Sequence, residues 1–428
     1  MPTPSLLIVP ARFKTGRLYS QIPTNTDNRG DFTVTRNTTA TRFTSAGFIE
    51  SVASGIPRLD YYTSGGVTGC PALLVEPSGT NLCLQSENFS TTWSPTNTVV
   101  SGNVAGTTDP AGGNTADQIF ETAASGNHFL AQTMTIVSGT TYVGSIFYKK
   151  ATGSPDWMQV AFSTTGLAGF ANFNLTSGTV GLTGAGCTGR IENYGNGWYR
   201  CTLIQTANAN GTSGGPVIVF TNNTNSITRF VSYTGNTATS IYAWGAQLET
   251  GSVATSYIPT TAGTGSRSAD VISVSGAVSG SIGQMEGTLY AEVDLKNKGV
   301  SISRVIYLSD GTSNNEIRIS HSVTTAGDLQ IAIRLAGSLV VNQTSPTAVY
   351  FGINKIAVGY KVGTNEVVMY VNGSQIILST SSGNMPACNT IHLGSQLGTS
   401  NFLNDRIRAA ALYTTRLTNA ELATLTTP

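Results

Sequence analysis

The stretch Leu289-Tyr290-Ala291-Glu292-Val293-Asp294-Leu295 alternates along its whole length. Successive side chains of an extended strand point to opposite faces, so Leu289, Ala291, Val293 and Leu295 form one row, and Tyr290, Glu292 and Asp294 form the other. The first row is expected to face a core and the second to be a solvated face. The same period of two recurs at residues 141–148, 157–162, 217–220 and 356–360. Within residues 241–248, Tyr242, Trp244, Ala246 and Leu248 are expected to point one way.

Turn chemistry bounds these runs. Asn372-Gly373 separates residues 366–371 from 374–378, and an Asn-Gly pair suits the two positive φ values of a type I′ hairpin turn. Asp310-Gly311 marks a longer hairpin loop between 305–308 and 316–319, and Asn196-Gly197 turns the chain into a strand at 198–203. The one persuasive helix is C-terminal, where Thr418-Asn419-Ala420-Glu421 has the form of a capping box, followed by Leu422 and Leu425. Many short strands with such punctuation predict an all-β fold built of sandwiches. Residues 1–86, punctuated by Arg and Pro, read as an extended N-terminal arm or small β unit. Residues 87–260 hold all four Trp and suffice for one antiparallel jelly-roll β-sandwich. Residues 261–283 read as a linker and first strand, and 284–428 as a second antiparallel β-sandwich ending in a short helix.

The chain has 428 residues, of which 48 are Gly and 11% are charged, and a formal net charge of +1. Globular chains carry about 25% charged residues, so uncharged polar groups cover much of this surface. Binding by phosphate neutralisation needs a cationic face. The 23 Lys and Arg against 22 Asp and Glu exclude nucleic acid and imply no strongly acidic or basic partner. No run approaches the roughly 20 apolar residues of a membrane span. Residues 1–14 lack the apolar core of a secretory signal. Synthesis in a cytoplasm without membrane insertion is therefore expected. The five Cys include no C-x-x-C pair and the three His lie far apart, which argues against zinc. Cys187 and Cys201 could face each other across a hairpin, but single buried thiols are the favoured reading in a reducing compartment.

The phosphate-loop signature ends in Gly-Lys, a dipeptide this chain lacks. Gly184-Ala185-Gly186-Cys187-Thr188-Gly189 matches the dinucleotide pattern, and Gly211-Thr212-Ser213-Gly214-Gly215 matches the nucleophile elbow. Both patterns need an adjoining helix, and turn and strand residues flank them here, so they read as a Gly-rich β connection and a polar loop. Glu292 and Asp294 share a strand face and could flank a glycosidic bond. The E-x-D-x-E pattern of lectin-like glucanases ends here in Lys296, which removes a carboxylate. No catalytic residues are assigned, and the chain is read as not an enzyme. Asp294, Asp310, Asn314, Asn315 and Glu316 carry oxygens of the kind calcium takes, though turn formation is the favoured role. No cofactor is assigned beyond this option of a structural calcium ion. Trp157, Tyr194, Trp198 and Tyr199 are the candidate carbohydrate-binding residues, because a ring can cover the apolar face of a sugar. The same aromatics at alternate strand positions equally suit a core.

Certain strings are more specific. Arg36-Asn37-Thr38-Thr39-Ala40-Thr41-Arg42-Phe43, Gly47-Phe48-Ile49-Glu50, Pro57-Arg58-Leu59-Asp60-Tyr61, Leu73-Leu74-Val75-Glu76-Pro77-Ser78-Gly79-Thr80-Asn81-Leu82 and Gln85-Ser86-Glu87-Asn88-Phe89 together resemble a module of tailed-bacteriophage virion proteins. Trp244-Gly245-Ala246-Gln247-Leu248-Glu249 and Ser256-Tyr257-Ile258-Pro259-Thr260 resemble the end of a carbohydrate-binding-module-like jelly roll in the same proteins. Residues 284–428 resemble a concanavalin A or laminin-G-type domain through Tyr370-Val371-Asn372-Gly373-Ser374, His392-Leu393-Gly394 and Arg416-Leu417-Thr418-Asn419-Ala420-Glu421-Leu422.

The resemblance implies a virion structural protein at the particle surface, a fibre, spike or decoration protein on capsid or tail, with lectin-like domains displayed for host-surface glycan adhesion. It further implies a homotrimer, other virion proteins as partners, and residues 1–86 as the attachment arm. On that expectation, removing residues 1–86 leaves the remainder folded but unattached. A polysaccharide-degrading spike enzyme and a bacterial surface adhesin are the alternatives.

Overall fold

The alternating rows do form strands, and which face of each strand is buried then follows from the pleat. The computed structural model describes residues 1–23, 30–62, 69–163, 165–212, 214–276, 278–296, 302–321, 329–346, 350–381 and 383–428, and it is all-β apart from short helical turns. The chain divides into two compact units, one comprising residues 1–45, 51–78 and 268–428 and the other residues 46–50 and 79–267.

The first unit has two antiparallel sheets around one core. Among the described residues, the first sheet runs Ser374–Ser381, Gly363–Val371, Gly352–Lys361, Glu286–Leu295, Asp405–Tyr413, Ala72–Val75 and Leu59–Asp60, with Leu6–Ile8 also paired to Asp405–Tyr413. The second runs Phe13–Lys14, Arg17–Leu18, Phe32–Thr35, Val271–Ser275, Thr390–Leu393, Ser303–Ser309, Glu316–His321, Leu329–Leu335 and Ser338–Thr344. Leu289, Ala291, Val293 and Leu295 join Ile317, Ile319 and Ile331 in the core, as the alternation predicts.

The opposite row is not solvated. Asp294 is 1% exposed, and Tyr290 packs with Tyr370, Tyr413, Leu417 and Leu422 in a second apolar layer. The C-terminal helix Asn419–Thr426 supplies part of this cover and carries the expected capping box on Thr418 and Glu421. Glu292 is held by Arg408 at 2.8 Å.

Nor do residues 1–86 form a separate arm. Leu6, Ile8, Phe32, Leu73 and Val75 lie in the same core as Leu289 and Val293. The physical reason lies in the charges that make this segment read as a polar arm, because they are buried and paired. Arg36 and Arg58 are each 1% exposed, as is Asp270. Arg36 Nη1 donates to Asp270 Oδ1 at 3.0 Å, and Arg58 donates to both Asp270 oxygens and to Glu76 Oε2 at 2.6 Å. Burial works against the charge on Arg58, and the Asp270 and Glu76 carboxylates outweigh it, so the guanidinium is held charged above its ordinary range. Asp60 in turn accepts from Arg406 Nε at 2.8 Å. The N-terminal strings thus supply one half of ion pairs whose other half lies more than 190 residues away.

The second unit is a jelly roll. Among the described residues, one six-stranded antiparallel sheet runs Ser94–Thr96, Phe129–Ala131, Val217–Phe220, Trp157–Ala161, Phe170–Asn174 and Thr179–Thr183. The other runs Thr98–Ser101, Asp117–Glu121, Ser240–Thr250, Thr141–Lys150, Trp198–Thr206 and Cys187–Asn193. The turn Gly184-Ala185-Gly186 carries the chain from one sheet to the other, which is the β connection expected of that Gly-rich string. Ser213, at the centre of the other Gly-rich string, lies outside the described residues. Cys187 stands opposite Gln205 and Cys201 opposite Ile191, and both are free thiols. The turns Asn196-Gly197 and Asn372-Gly373 have positive φ at both residues, as expected.

One strand departs from the simple alternation. Ser145 stands opposite Gln247 but Phe147 opposite Trp244, so an extra residue is inserted between Trp244 and Gln247. Gly245 has a φ of +63° there, and a Cβ on it would stand 2.9 Å from the Phe147 ring. This bulge turns Ala246 and Leu248 into the core beside Ile241 and Ala243, and leaves Tyr242 and Trp244 on the opposite face. The expected common direction of Tyr242, Trp244, Ala246 and Leu248 is therefore broken at Gly245.

Two substitutions test these assignments. Asp270→Asn leaves two buried guanidiniums short of counter-charge and should cost about 3–5 kcal/mol in denaturant unfolding of the first unit; a loss under about 1 kcal/mol would contradict the network's role. Gly245→Ala forces a side chain into a left-handed conformation against the Phe147 ring and should cost about 1–3 kcal/mol, read in the second unit's transition.

Candidate functional site

The bulge at Gly245 places a set of aromatic rings on the outer face of the sheet. Trp244 packs against Tyr257 with centroids 4.5 Å apart and against Phe147 at 5.4 Å, and Tyr194 meets Phe147 edge-on at 4.9 Å. The polar groups above these rings are fixed by short bonds. Tyr257 Oη lies 2.6 Å from Ser86 Oγ and donates to Glu87 Oε1 at 3.0 Å. Trp244 Nε1 donates to Thr115 Oγ1 at 2.8 Å, and that hydroxyl stands 2.9 Å from Asp109 Oδ2 and 3.2 Å from Glu87 Oε2.

Backbone bonds hold the strands that carry these groups. Ala246 N–H donates to the Ser86 carbonyl at 2.8 Å, and Thr260 N–H donates to Ser86 Oγ at 2.8 Å. Asn81 Nδ2 donates to the carbonyls of Ala246 and Ile258 at 3.0 and 2.9 Å, while its Oδ1 accepts from Leu248 N–H at 3.0 Å. Glu249 receives both the Thr255 amide at 2.9 Å and the Thr255 hydroxyl at 2.6 Å.

Over this closure opens a cleft of about 490 Å³, lined by Gln85, Glu87, Asn88, Asn103, Thr115, Pro259, Thr260 and Thr261. Asp117 sets its two rims, accepting from Phe89 N–H at 2.7 Å and Asn103 N–H at 2.8 Å. Burial pushes the Glu87 carboxyl above the usual carboxylate range; hydrogen bonds from Tyr257 and Thr115 pull it back, and the nearby Asp109 charge adds to the rise. Glu87 is the one carboxylate among the cleft's lining residues. Asp109 is 1% exposed and is spent on the amides of Ala111, Gly113 and Thr115. Such a lining offers amide and hydroxyl groups that both donate and accept, which is the chemistry that recognises a polyol.

The four aromatics singled out in the sequence are not brought together. Trp157 opens a strand of one sheet, half-buried and facing away from the core. Trp198 begins a strand of the other sheet, 1% exposed, with its Nε1 donating to the Thr108 carbonyl at 2.8 Å. Tyr199, one residue on, packs against the core from the inner face. Tyr194 is the member nearest the aromatic layer, and it does not line the cleft.

Of the lining residues, Gln85, Glu87 and Asn88 lie in the string Gln85–Phe89, and Pro259 and Thr260 in the string Ser256–Thr260. Asn103 and Thr115, lone polar residues in a Gly- and Thr-rich loop, carried no period or motif by which they could be found. Among the described residues, no three His, Cys, Asp or Glu side chains converge as a metal site. Asp310 acts as a turn former, taking the amide of Thr312 at 2.9 Å and Nδ2 of Asn315 at 2.7 Å. Glu316 is engaged by Arg318 and Arg334.

No protein-family model matches the sequence, and no curated protein matches it. Among solved structures, the IT-sialidase CBM40 of Ruminococcus gnavus bound to α2,3 sialyllactose is similar at 17% identity and a TM-score of 0.30, over 33% of this chain and 83% of that one. The NanB sialidase of Streptococcus pneumoniae is similar at 18% identity and a TM-score of 0.31, over 36% of this chain and 27% of that one. Domain 4 of AbnA, an extracellular arabinanase of Geobacillus stearothermophilus in complex with arabinotriose, is similar at 14% identity and a TM-score of 0.32, over 37% of this chain and 73% of that one. Likeness of this extent transfers no ligand to the present chain.

Proposed function

We propose that the protein is a non-enzymatic virion structural protein of a tailed bacteriophage, whose jelly roll binds an uncharged host-surface glycan in the cleft beside Glu87. The observation that carries the glycan reading is the lining: seven of its eight residues are uncharged, and Gln85, Asn88, Asn103, Thr115, Thr260 and Thr261 present amides and hydroxyls around the single Glu87 carboxylate. Sugar hydroxyls are paired donors and acceptors, and planar amides bind them in both senses. Canonical glycoside hydrolysis needs two carboxylates flanking the bond, and this cleft presents one, which supports binding without cleavage. The virion assignment, with a homotrimer and other virion proteins as partners, is supported by the resemblance of the strings that build the cleft and the buried ion pairs.

A glycan array probed with the full chain should register neutral oligosaccharides, and incubation with the same sugars should release no shortened chains. Asn103→Ala should weaken binding about tenfold, the loss of one good hydrogen bond; unchanged affinity would contradict the cleft, and shortened chains would replace the binding protein with an enzyme. Purified phage particles should retain the protein through mild washing, and its loss there would contradict the virion role.

Glu87 also makes stability pH-dependent. Its carboxyl holds a proton more tightly in the folded state than in the unfolded chain, so the folded form carries extra proton between the two pKa values. Stability therefore falls as pH rises through that interval, and Glu87→Gln should remove that part of the slope in thermal unfolding measured across acidic pH.

A further inference from the structure

Hydrogen bonds at the cleft do not balance while Glu87 is ionised. A threonine hydroxyl donates one proton and can accept two. Thr115 Oγ1 accepts from Trp244 Nε1 at 2.8 Å, and it faces two carboxylates, Asp109 Oδ2 at 2.9 Å and Glu87 Oε2 at 3.2 Å. One hydroxyl proton cannot serve both. Asp109 is the nearer of the two and is 1% exposed, and the amides of Ala111, Gly113 and Thr115 are already aimed at it, so its oxygens are committed as acceptors. Once Thr115 donates to Asp109, lone pairs on Glu87 Oε2 and Thr115 Oγ1 face each other 3.2 Å apart.

A proton on Glu87 completes the chain. Glu87 then donates to Thr115, Thr115 donates to Asp109, and the second acceptor position of the hydroxyl holds the Trp244 N–H, so that each contact has one proton. The other oxygen, Glu87 Oε1, accepts from Tyr257 Oη at 3.0 Å in either state. Burial and the Glu87 charge push the Tyr257 hydroxyl well above its ordinary range, so it stays a donor. Burial raises the Glu87 carboxyl in the same sense as the proton count. At the rim, burial also raises Asp117, while the amides of Asn103 and Phe89 pull it back.

We propose that glycan binding in the cleft is coupled to a proton on Glu87, so that the site holds its sugar in acid and weakens toward neutral pH. This rests on the glycan reading given above. A sugar seated in the cleft covers a lining carboxyl and displaces water from it, which disfavours the charged form further. Glu87 in the complex therefore keeps its proton to higher pH than in the free cleft. Below both titrations affinity is highest and flat; between them it falls about tenfold per pH unit as binding draws in a proton; above both it is low and flat.

Calorimetric titration of the full chain with lactose, maltotriose and N-acetyllactosamine, from acidic to neutral pH in two buffers of different ionisation enthalpy, reads affinity and proton uptake together. Bound sugar should lose about tenfold in affinity over that range, with proton uptake confined to the interval of the fall. Glu87→Gln offers Thr115 an amide N–H and Tyr257 a carbonyl, and should flatten the profile; a fall that persists in this variant would belong to Asp117 and would overturn the assignment to Glu87. Affinity that stays level or rises with pH in the unsubstituted chain would overturn the coupling and leave the glycan reading standing. Binding of none of the three sugars at any pH would overturn both. The sugar-free chain supplies a separate readout. The indole N–H resonance of Trp244 should follow one acidic titration that Glu87→Gln abolishes, and a resonance that does not move would overturn the proton chain whatever the sugars do.

Discussion

The first unit depends on Asp270. It is 1% exposed, a buried charge needs a counter-charge close at hand, and its partners are Arg36 and Arg58, more than 200 residues earlier. Each arginine is itself buried and ties down backbone carbonyls, Arg36 those of Thr38, Ala53 and Ile56, and Arg58 that of Thr41. Replacing such a network by apolar groups need not cost stability, but removing one member strands the others. The pairing therefore specifies which segments belong together more than it adds to the energy. The hydrophobic core then does the holding, with Phe32 and Leu73 from the early segment packed among Ile272, Leu289 and Ile407 from the late one.

The second unit is closed by polar groups in a different way. Asn81, Ser86, Gln247 and Glu249 are each at most 2% exposed, and each bonds to backbone or hydroxyl groups of the segment around residues 255–260 or of the final strand. The Gly245 bulge is what allows that strand to turn Ala246 and Leu248 inward while keeping Trp244 and Gln247 outside. Trp244 and Tyr257 then form an apolar layer beneath the cleft, and Glu87, the one carboxylate among the described lining residues, is anchored to Tyr257. Cleft and closure thus share residues: Thr260 N–H donates to Ser86 Oγ, and Thr115 Oγ1 accepts from Trp244 Nε1.

Much of this was legible locally and some of it was not. The period of two located strands such as Glu286–Leu295 and Trp198–Thr206, the Asn-Gly pairs located their turns, and Thr418 and Glu421 located the helix, because each signal lies within a few residues of what it determines. What lay beyond reach was whatever depended on a distant partner. Leu6–Ile8 and Phe32–Thr35 are too short to suggest a full domain, and only their pairing with Asp405–Tyr413 and Val271–Ser275 makes them part of a core. Alternation assigns two faces to Tyr290, Glu292 and Asp294 and their neighbours but does not say whether a further layer covers the outer one. The four aromatics are scattered for a related reason: Trp198 and Tyr199 are adjacent in sequence and so lie on opposite sides of one sheet. In the candidate site, the motif residues Glu87 and Gln85 carried a signal, whereas Asn103 and Thr115 reach the cleft from a loop that no local pattern marks.

A chain with few charges has thus spent many of them inside, on pairing early segments with late ones, and lines its cleft mainly with amides and hydroxyls. The account rests on the early segment being an integral layer of the first unit. Hydrogen exchange of the intact protein measures this directly. Amides in Phe32–Thr35 and Ala72–Val75 should be protected as strongly as those in Glu286–Leu295, since all would open only with the unit as a whole. Exchange of residues 1–78 at unfolded-chain rates, with Glu286–Leu295 still protected, would contradict it.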